Sequence, residues 1–263
     1  MRIVVLIKPV PDPASGGERL RPDDWRLDRA AAPAVVNGND EYALEAALKL
    51  TEAHGGDVTI LSMAPATAPE TMRKALAMGA HSGVLVTDER LAGSDTLTTA
   101  RVLAAALATL EFDLVLAGVD TSDGVAGVVA PGVAALRRLP YLSYAAKIEP
   151  QKETETVRVH RISPVGYDVL EAPMPALIGC TQALGEPRYP SLKGIMAARS
   201  KEIVTKSLAD LGLEDASVGG AVATTKVLGA EAPPPRAPTR VVREAPDVAA
   251  REIVSFLVER RII

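Results

Sequence analysis

Four short apolar runs, each leading into a stretch with helical periodicity, constrain this 263-residue chain more than any other feature. Ile3 to Ile7, Val58 to Leu61, Gly83 to Val86 and Leu114 to Ala117 have the length and the unbroken hydrophobicity of strands buried on both faces. After the first, Asp40 to Leu50 places Ala43, Ala46, Ala47 and Leu50 on one helical face. After the second, Thr67 and Glu70 form a T-x-x-E capping box that predicts a helix start. Met72, Ala75 and Leu76 give that helix its apolar face, and Gly79 ends it. Ser94 is expected to cap the third helix, with Leu97, Ala100, Ala104 and Leu107 buried. The fourth helix is predicted to begin at Gly127 and stop at Pro140. Four such units predict an α/β fold with a parallel sheet and helices on both faces. Ligands of such sheets sit beyond the C-terminal strand ends.

Composition excludes several function classes. Apolar residues make up 48% of the chain and charged ones 24%, as in an ordinary globular protein. A net charge of -4 with no basic stripe argues against nucleic acid as a partner. The single cysteine, Cys180, lies in the apolar run ALIGC and reads as a small buried hydrophobe. It allows no intrachain disulfide and no cysteine metal cluster, which points to a reducing, cytoplasmic setting. His54, His81 and His160 are scattered, and neither H-E-x-x-H nor G-x-S-x-G occurs. The run Ile3 to Ile7 is too short for a signal peptide, and no stretch is long enough to span a membrane.

The stretch that carries chemistry is Asp113 to Leu139, DLVLAGVDTSDGVAGVVAPGVAALRRL, read as strand, loop and helix. Its turn leaves backbone N–H groups free at a helix start, with the helix dipole behind them, and Thr121, Ser122 and Asp123 can add side-chain hydrogen bonds. This makes it a candidate phosphate site. The first strand, by contrast, is followed by neither G-x-G-x-x-G nor a Walker lysine. Ser15-Gly16-Gly17 resembles a pyrophosphatase phosphate loop but lies well past the strand end and lacks the following Asp-Ser. Residues 143–180 alternate charged and apolar positions and are broken by Pro173 and Pro175, which predicts strands and a hairpin extending the sheet. Residues 185–206 read as a turn and a short helix. Residues 229–246 hold five prolines and read as an extended arm. The tail from Asp247 puts Ala250, Ile253, Val254 and Leu257 on one helical face. Three segments are therefore expected: an α/β body over 1–185, a recognition loop over 186–206, and a C-terminal arm and helix over 207–263.

Four stretches together resemble the electron transfer flavoprotein beta subunit. They are Val4-Val5-Leu6-Ile7-Lys8-Pro9-Val10-Pro11-Asp12; Asn37 with Asp40-Glu41-Tyr42-Ala43-Leu44-Glu45; Arg73 to Ala80; and Glu186-Pro187-Arg188-Tyr189-Pro190-Ser191-Leu192 with Gly194-Ile195-Met196-Ala197-Ala198. The spacing fits from end to end. The resemblance implies a Rossmann-like, adenine-nucleotide-binding fold and a heterodimer with an alpha subunit that carries most of the contact to a redox FAD. It implies a structural AMP held in the beta subunit at positions matching Leu6, Ile7, Asn37 and Met63. The matching loop adds Gly118, Asp120, Ser122, Asp123, Gly124, Val125, Gly127, Val128 and Val129. It further implies acyl-CoA dehydrogenases as electron donors and a membrane quinone oxidoreductase as acceptor. The donor is expected to dock on Tyr189, Leu192, Ile195 and Met196, with Leu192 as the anchor, and the chain is expected to act as a carrier subunit rather than an enzyme.

The chain also departs from the family. Gly38 and Asn39 replace the usual Pro-Phe after Asn37. Gly127 and Val128 stand where polar residues are common, so a phosphate grip must rely on backbone N–H groups. Ile162, Ser163, Pro164 and Val165 follow Arg161, where an acidic residue and a glycine pair are frequent. Two alternatives stay open: a bifurcating member with a second FAD, and a stand-alone nucleotide sensor of the stress-protein type. A small adenine-nucleotide hydrolase lacks its required phosphate loop and acidic pair.

Overall fold

Period-2 alternation sorts each apolar run onto two faces. In the computed structural model, which describes residues 1–16, 19–231, 233–235, 238–239 and 241–263, Ile3, Val5 and Ile7 join one core and Val4 and Leu6 the other. The elements run β1 (Arg2–Leu6), β2 (Pro9–Pro11), β3 (Ala34–Val36), α1 (Gly38–His54), β4 (Asp57–Met63), α2 (Pro69–Met78), β5 (Ser82–Val86), α3 (Thr96–Leu107), β6 (Leu114–Gly118) and α4 (Val129–Arg137). There follow β7 (Tyr141–Gln151), β8 (Thr156–Ser163), β9 (Gly166–Pro173), β10 (Ala176–Cys180), α5 (Leu192–Ala198), β11 (Ile203–Lys206) and α6 (Pro246–Glu259). The main sheet has the order β11-β5-β4-β1-β6-β10-β7-β8-β9. It is parallel from β11 through β7, and β7, β8 and β9 pair antiparallel. Residues of α1 and α2 pack on one face, and those of α3 and α4 on the other. β4 and β6 lie on opposite sides of β1, so the strand order reverses there and leaves a crevice at the C-terminal ends of β1 and β6.

The α/β class, the parallel core and the hairpin extension are as the sequence predicts; several local expectations are corrected. Thr67 does not cap α2. Ala68 is already helical and bonded back to Pro65, so the helix starts at Pro69, whose fixed φ suits a first position. Asp95, not Ser94, caps α3, accepting from Thr98 N at 2.9 Å, while Ser94 Oγ bonds Leu91 O. Leu97 is 48% exposed, and the buried face of α3 runs instead through Ala100, Leu103, Ala104 and Leu107. The fourth helix begins at Val129 because Gly127 has φ +62, a left-handed conformation outside any right-handed helix. Pro9 and Pro11 do not only end β1. They form β2, which pairs with β3 in a two-stranded ribbon where missing N–H groups are tolerated. The edge strand β11 follows the short helix directly.

The chain divides into two compact units, Met1–Leu228 and Gly229–Ile263. Leu208 and Val218 are buried in the first unit's core. The second contains α6, which buries none of its side chains within that unit. Four positions of the proline-rich arm (232, 236, 237 and 240), and Gly17 of the Ser-Gly-Gly run, lie outside the described residues.

Candidate functional site

Two loops close on each other over the β1–β6 crevice, and Asn37 joins them. Buried at the N-cap of α1, Asn37 donates its side-chain amide to Asp120 O at 2.9 Å and accepts from Ser122 N at 3.1 Å. Its own N–H donates to Lys8 O at 3.0 Å. Asn39 adds a 2.5 Å bond from Nδ2 to Asp120 Oδ1. Within the first turn of the helix, Asp40 is buried and accepts from Lys8 N at 2.8 Å. Burial pushes the Asp40 carboxyl up to about 7, against hydrogen bonds from Asn37, Lys8 and Gly118 that favour its anion. Gly118 is required at this point, because a Cβ there would lie 2.5 Å from Asp40 Oδ1 and 2.8 Å from the Asn39 carbonyl carbon.

The loop itself is pinned by charge. Asp123 receives Lys8 Nζ at 2.8 Å and Arg29 at 2.5 Å, which leaves its side chain with no exposed surface. Burial alone would raise its pKa, but the two cations and Thr121 hold the carboxyl down at about 2. Val125 N donates to Thr121 O at 2.8 Å. The N–H groups of Gly124, Ala126, Gly127 and Val128 have no protein acceptor among the described residues. Val125 sits at φ +43, a strained value for a β-branched residue, and is 69% exposed. Free donors, a helix start behind them and two cations beside them form a surface that suits an anion.

The structure brings together Asn37, Gly118, Asp120, Ser122 and Asp123. Leu6 and Ile7 lie buried at the end of β1 next to them. Gly124, Val125, Gly127, Val128 and Val129 continue the loop into α4. Met63 ends β4, on the side of β1 away from β6. Sequence reasoning assigned no role to Lys8, Arg29, Asn39 or Asp40. The spacing Asn37–Asp40 across a helix start was a usable signal for two of them, whereas Arg29 comes from a distant loop and gave none. Cys180 pairs in register with Gly118, and burial raises its thiol pKa, which suits an inert core residue. No cluster that could hold a metal occurs among the described residues, and no helix there is long and apolar enough to cross a membrane.

A second surface stands apart from the crevice. Tyr189 is 96% exposed, Leu192 76% and Met196 66%, and Ile195 is also exposed. Ser191 caps α5, accepting from Gly194 N at 3.0 Å. Arg188 anchors the preceding turn on α1 through Glu45 and Glu52.

The electron transfer flavoprotein domain model matches residues 24–211. The chain belongs to the electron transfer flavoprotein family. Electron transfer flavoprotein subunit beta of Mycobacterium leprae is 40% identical over 267 residues, covering 99% of each chain. The protein of the same name from Clostridium acetobutylicum is 34% identical over 263 residues, covering both chains entirely. Protein FixA of Azorhizobium caulinodans is 40% identical over 226 residues, 84% of this chain and 80% of FixA. The beta-subunit identity expected from the four motifs is thus shown, and with it a role in electron transfer within a flavoprotein. One departure from the family pattern has a structural counterpart. Arg161 pairs with Asp168 at 2.6 Å, directly across β8 and β9, so a carboxylate meets this arginine from the facing strand.

Proposed function

We propose that the chain pairs with a flavin-binding alpha subunit and relays electrons from acyl-CoA dehydrogenase-type donors towards a membrane quinone oxidoreductase, holding AMP as a structural ligand. The observation that carries the nucleotide assignment is the Asn37 bridge. It fixes the loop after β6 so that four backbone N–H groups stay free at the start of α4. These residues fit a phosphate. Gly124, Ala126, Gly127 and Val128 would donate to it, with Lys8 and Arg29 supplying positive charge close by. Met63, partly buried at the end of β4, offers apolar surface for the base, and the backbone at Leu6 and Ile7 ends β1 beside the loop. FAD, when bound by the heterodimer, provides the redox chemistry. The single cysteine of this chain, Cys180, is a free thiol buried in the core.

Tyr189, Leu192, Ile195 and Met196 form the proposed donor-docking surface, and the second unit clasps the alpha subunit. Burying Ile253, Val254 and Leu257 of α6 against that subunit would contribute roughly 5–9 kcal/mol before entropy costs. The test is co-expression with a flavin-binding alpha subunit, followed by affinity capture through a tag on this chain. A yellow complex that an acyl-CoA dehydrogenase reduces in the presence of its substrate supports the reading. A chain that purifies alone and colourless beside a well-expressed alpha subunit contradicts it.

A further inference from the structure

Between α2 and α5, each helix is capped by a cation from the other segment. Arg73, on α2, donates to Ala198 O at the end of α5 and to Lys201 O at 3.2 Å. Lys201, just beyond α5, donates to Leu76 O at 3.0 Å near the end of α2 and to Ala80 O at 2.5 Å. Burial lowers the Lys201 pKa, so this ammonium is held partly out of water against carbonyl oxygens. Cations at helix C-termini are favoured by the dipole and satisfy carbonyls that lack intrahelical partners. The two helices also approach closely. A Cβ at Gly194 would lie 2.3 Å from Ala77 O, so α5 touches the α2 backbone at a position only glycine can occupy. Ala198 is buried in the core that contains α2. The opposite side of α5 carries Leu192 and Met196 in the open.

A largely exposed helix of seven residues, about two turns, would not hold its shape alone. We infer that Arg73 and Lys201 are positioning residues. Their reciprocal caps fix α5 on α2 and so present Leu192 to the donor in a preset orientation, which spares the donor the ordering of this segment on docking. The inference rests on the proposed donor-docking role of Leu192. It adds residues that touch no partner and act only through α5.

The test uses the heterodimer as electron acceptor for a purified acyl-CoA dehydrogenase, with the variants Lys201→Met, Lys201→Arg, Leu192→Ala and the double variant Lys201→Met/Leu192→Ala. Lys201→Met keeps the aliphatic stem and removes the donor group. We expect it to raise KM for the heterodimer about five- to tenfold with kcat unchanged, as a loss of ordering before docking requires. Lys201→Arg should restore much of the loss. In the double variant, the Lys201 change should add little to the Leu192→Ala effect, because contacting or coupled residues are non-additive. Full additivity, or a normal KM in Lys201→Met with a lowered Tm, overturns the positioning role while leaving Leu192 docking intact. Normal kinetics in Leu192→Ala would instead overturn the docking reading itself. If Lys201→Met does not fold, Arg73→Met removes the other cap and is judged by the same KM shift and by the same additivity with Leu192→Ala.

Discussion

Replacing Asp40 by Asn should change how stability depends on pH, in a direction fixed by the crevice. Asp40 is buried where β1, α1 and β6 meet, and its pKa rises from 3.8 to about 7. A carboxyl whose native pKa exceeds its unfolded one binds its proton more tightly when folded. Its contribution to stability is therefore greatest below pH 4, declines as pH rises from about 4 to about 7, and is constant above. The full span is about 4 kcal/mol, or about 1.4 kcal/mol per pH unit inside that window. Asn keeps an oxygen to accept from Lys8 N and carries no titrating proton. Equilibrium urea unfolding at pH 5, 6, 7 and 8 should show Asp40→Asn gaining about 3 kcal/mol relative to the parent between the lowest and highest pH. Parallel profiles for the two proteins would mean that Asp40 titrates normally, and the account of a desolvated carboxyl beneath the loop would be wrong.

Three further outcomes follow from named contacts. Gly118→Ala should destabilise the chain by roughly 1–3 kcal/mol, since the new Cβ meets Asp40 and the Asn39 backbone; an unchanged urea midpoint would contradict the close approach. Leu192→Ala should slow electron transfer from an acyl-CoA dehydrogenase about ten- to a hundredfold with Tm unchanged, because the side chain is 76% exposed. A lowered Tm with normal transfer would make it a core residue of α5. Ending the chain at Leu228 should leave the first unit folded, as its core lies wholly before that point, and weaken capture of the alpha subunit by at least about tenfold. Full affinity in pull-down titrations would remove the second unit from the interface.

The body of the fold was legible because each buried strand announces itself as an apolar run and each flanking helix by its periodicity. What the sequence hid was mostly non-local. Nothing local reveals that β10 inserts between β6 and β7, or that Ile203–Lys206 returns to pair with β5 at the far edge. The capping expectations at Thr67 and Ser94 failed by one or two residues, where a neighbouring proline or aspartate was the better start. The glycine-rich loop was visible as a candidate site, and Asn37 came from the family resemblance. Its ties to Asp120 and Ser122 span more than eighty residues and appear only in three dimensions. The Lys8–Asp123–Arg29 cluster was hidden for the same reason. It joins the first strand end, a polar loop and the loop after β6, with no spacing pattern to connect them.

In the proposed arrangement the Asn37-bridged loop holds an adenine mononucleotide while FAD resides elsewhere in the heterodimer. The most direct measurement is chromatographic analysis of nucleotides released by heating the purified heterodimer, for the parent and for Asn37→Ala. Equimolar AMP and FAD are expected from the parent. Selective loss of AMP, with FAD retained, is expected from the variant, which frees Asp120 and Ser122. FAD in twofold excess over the protein with no AMP, or AMP content unaffected by the substitution, would contradict this arrangement.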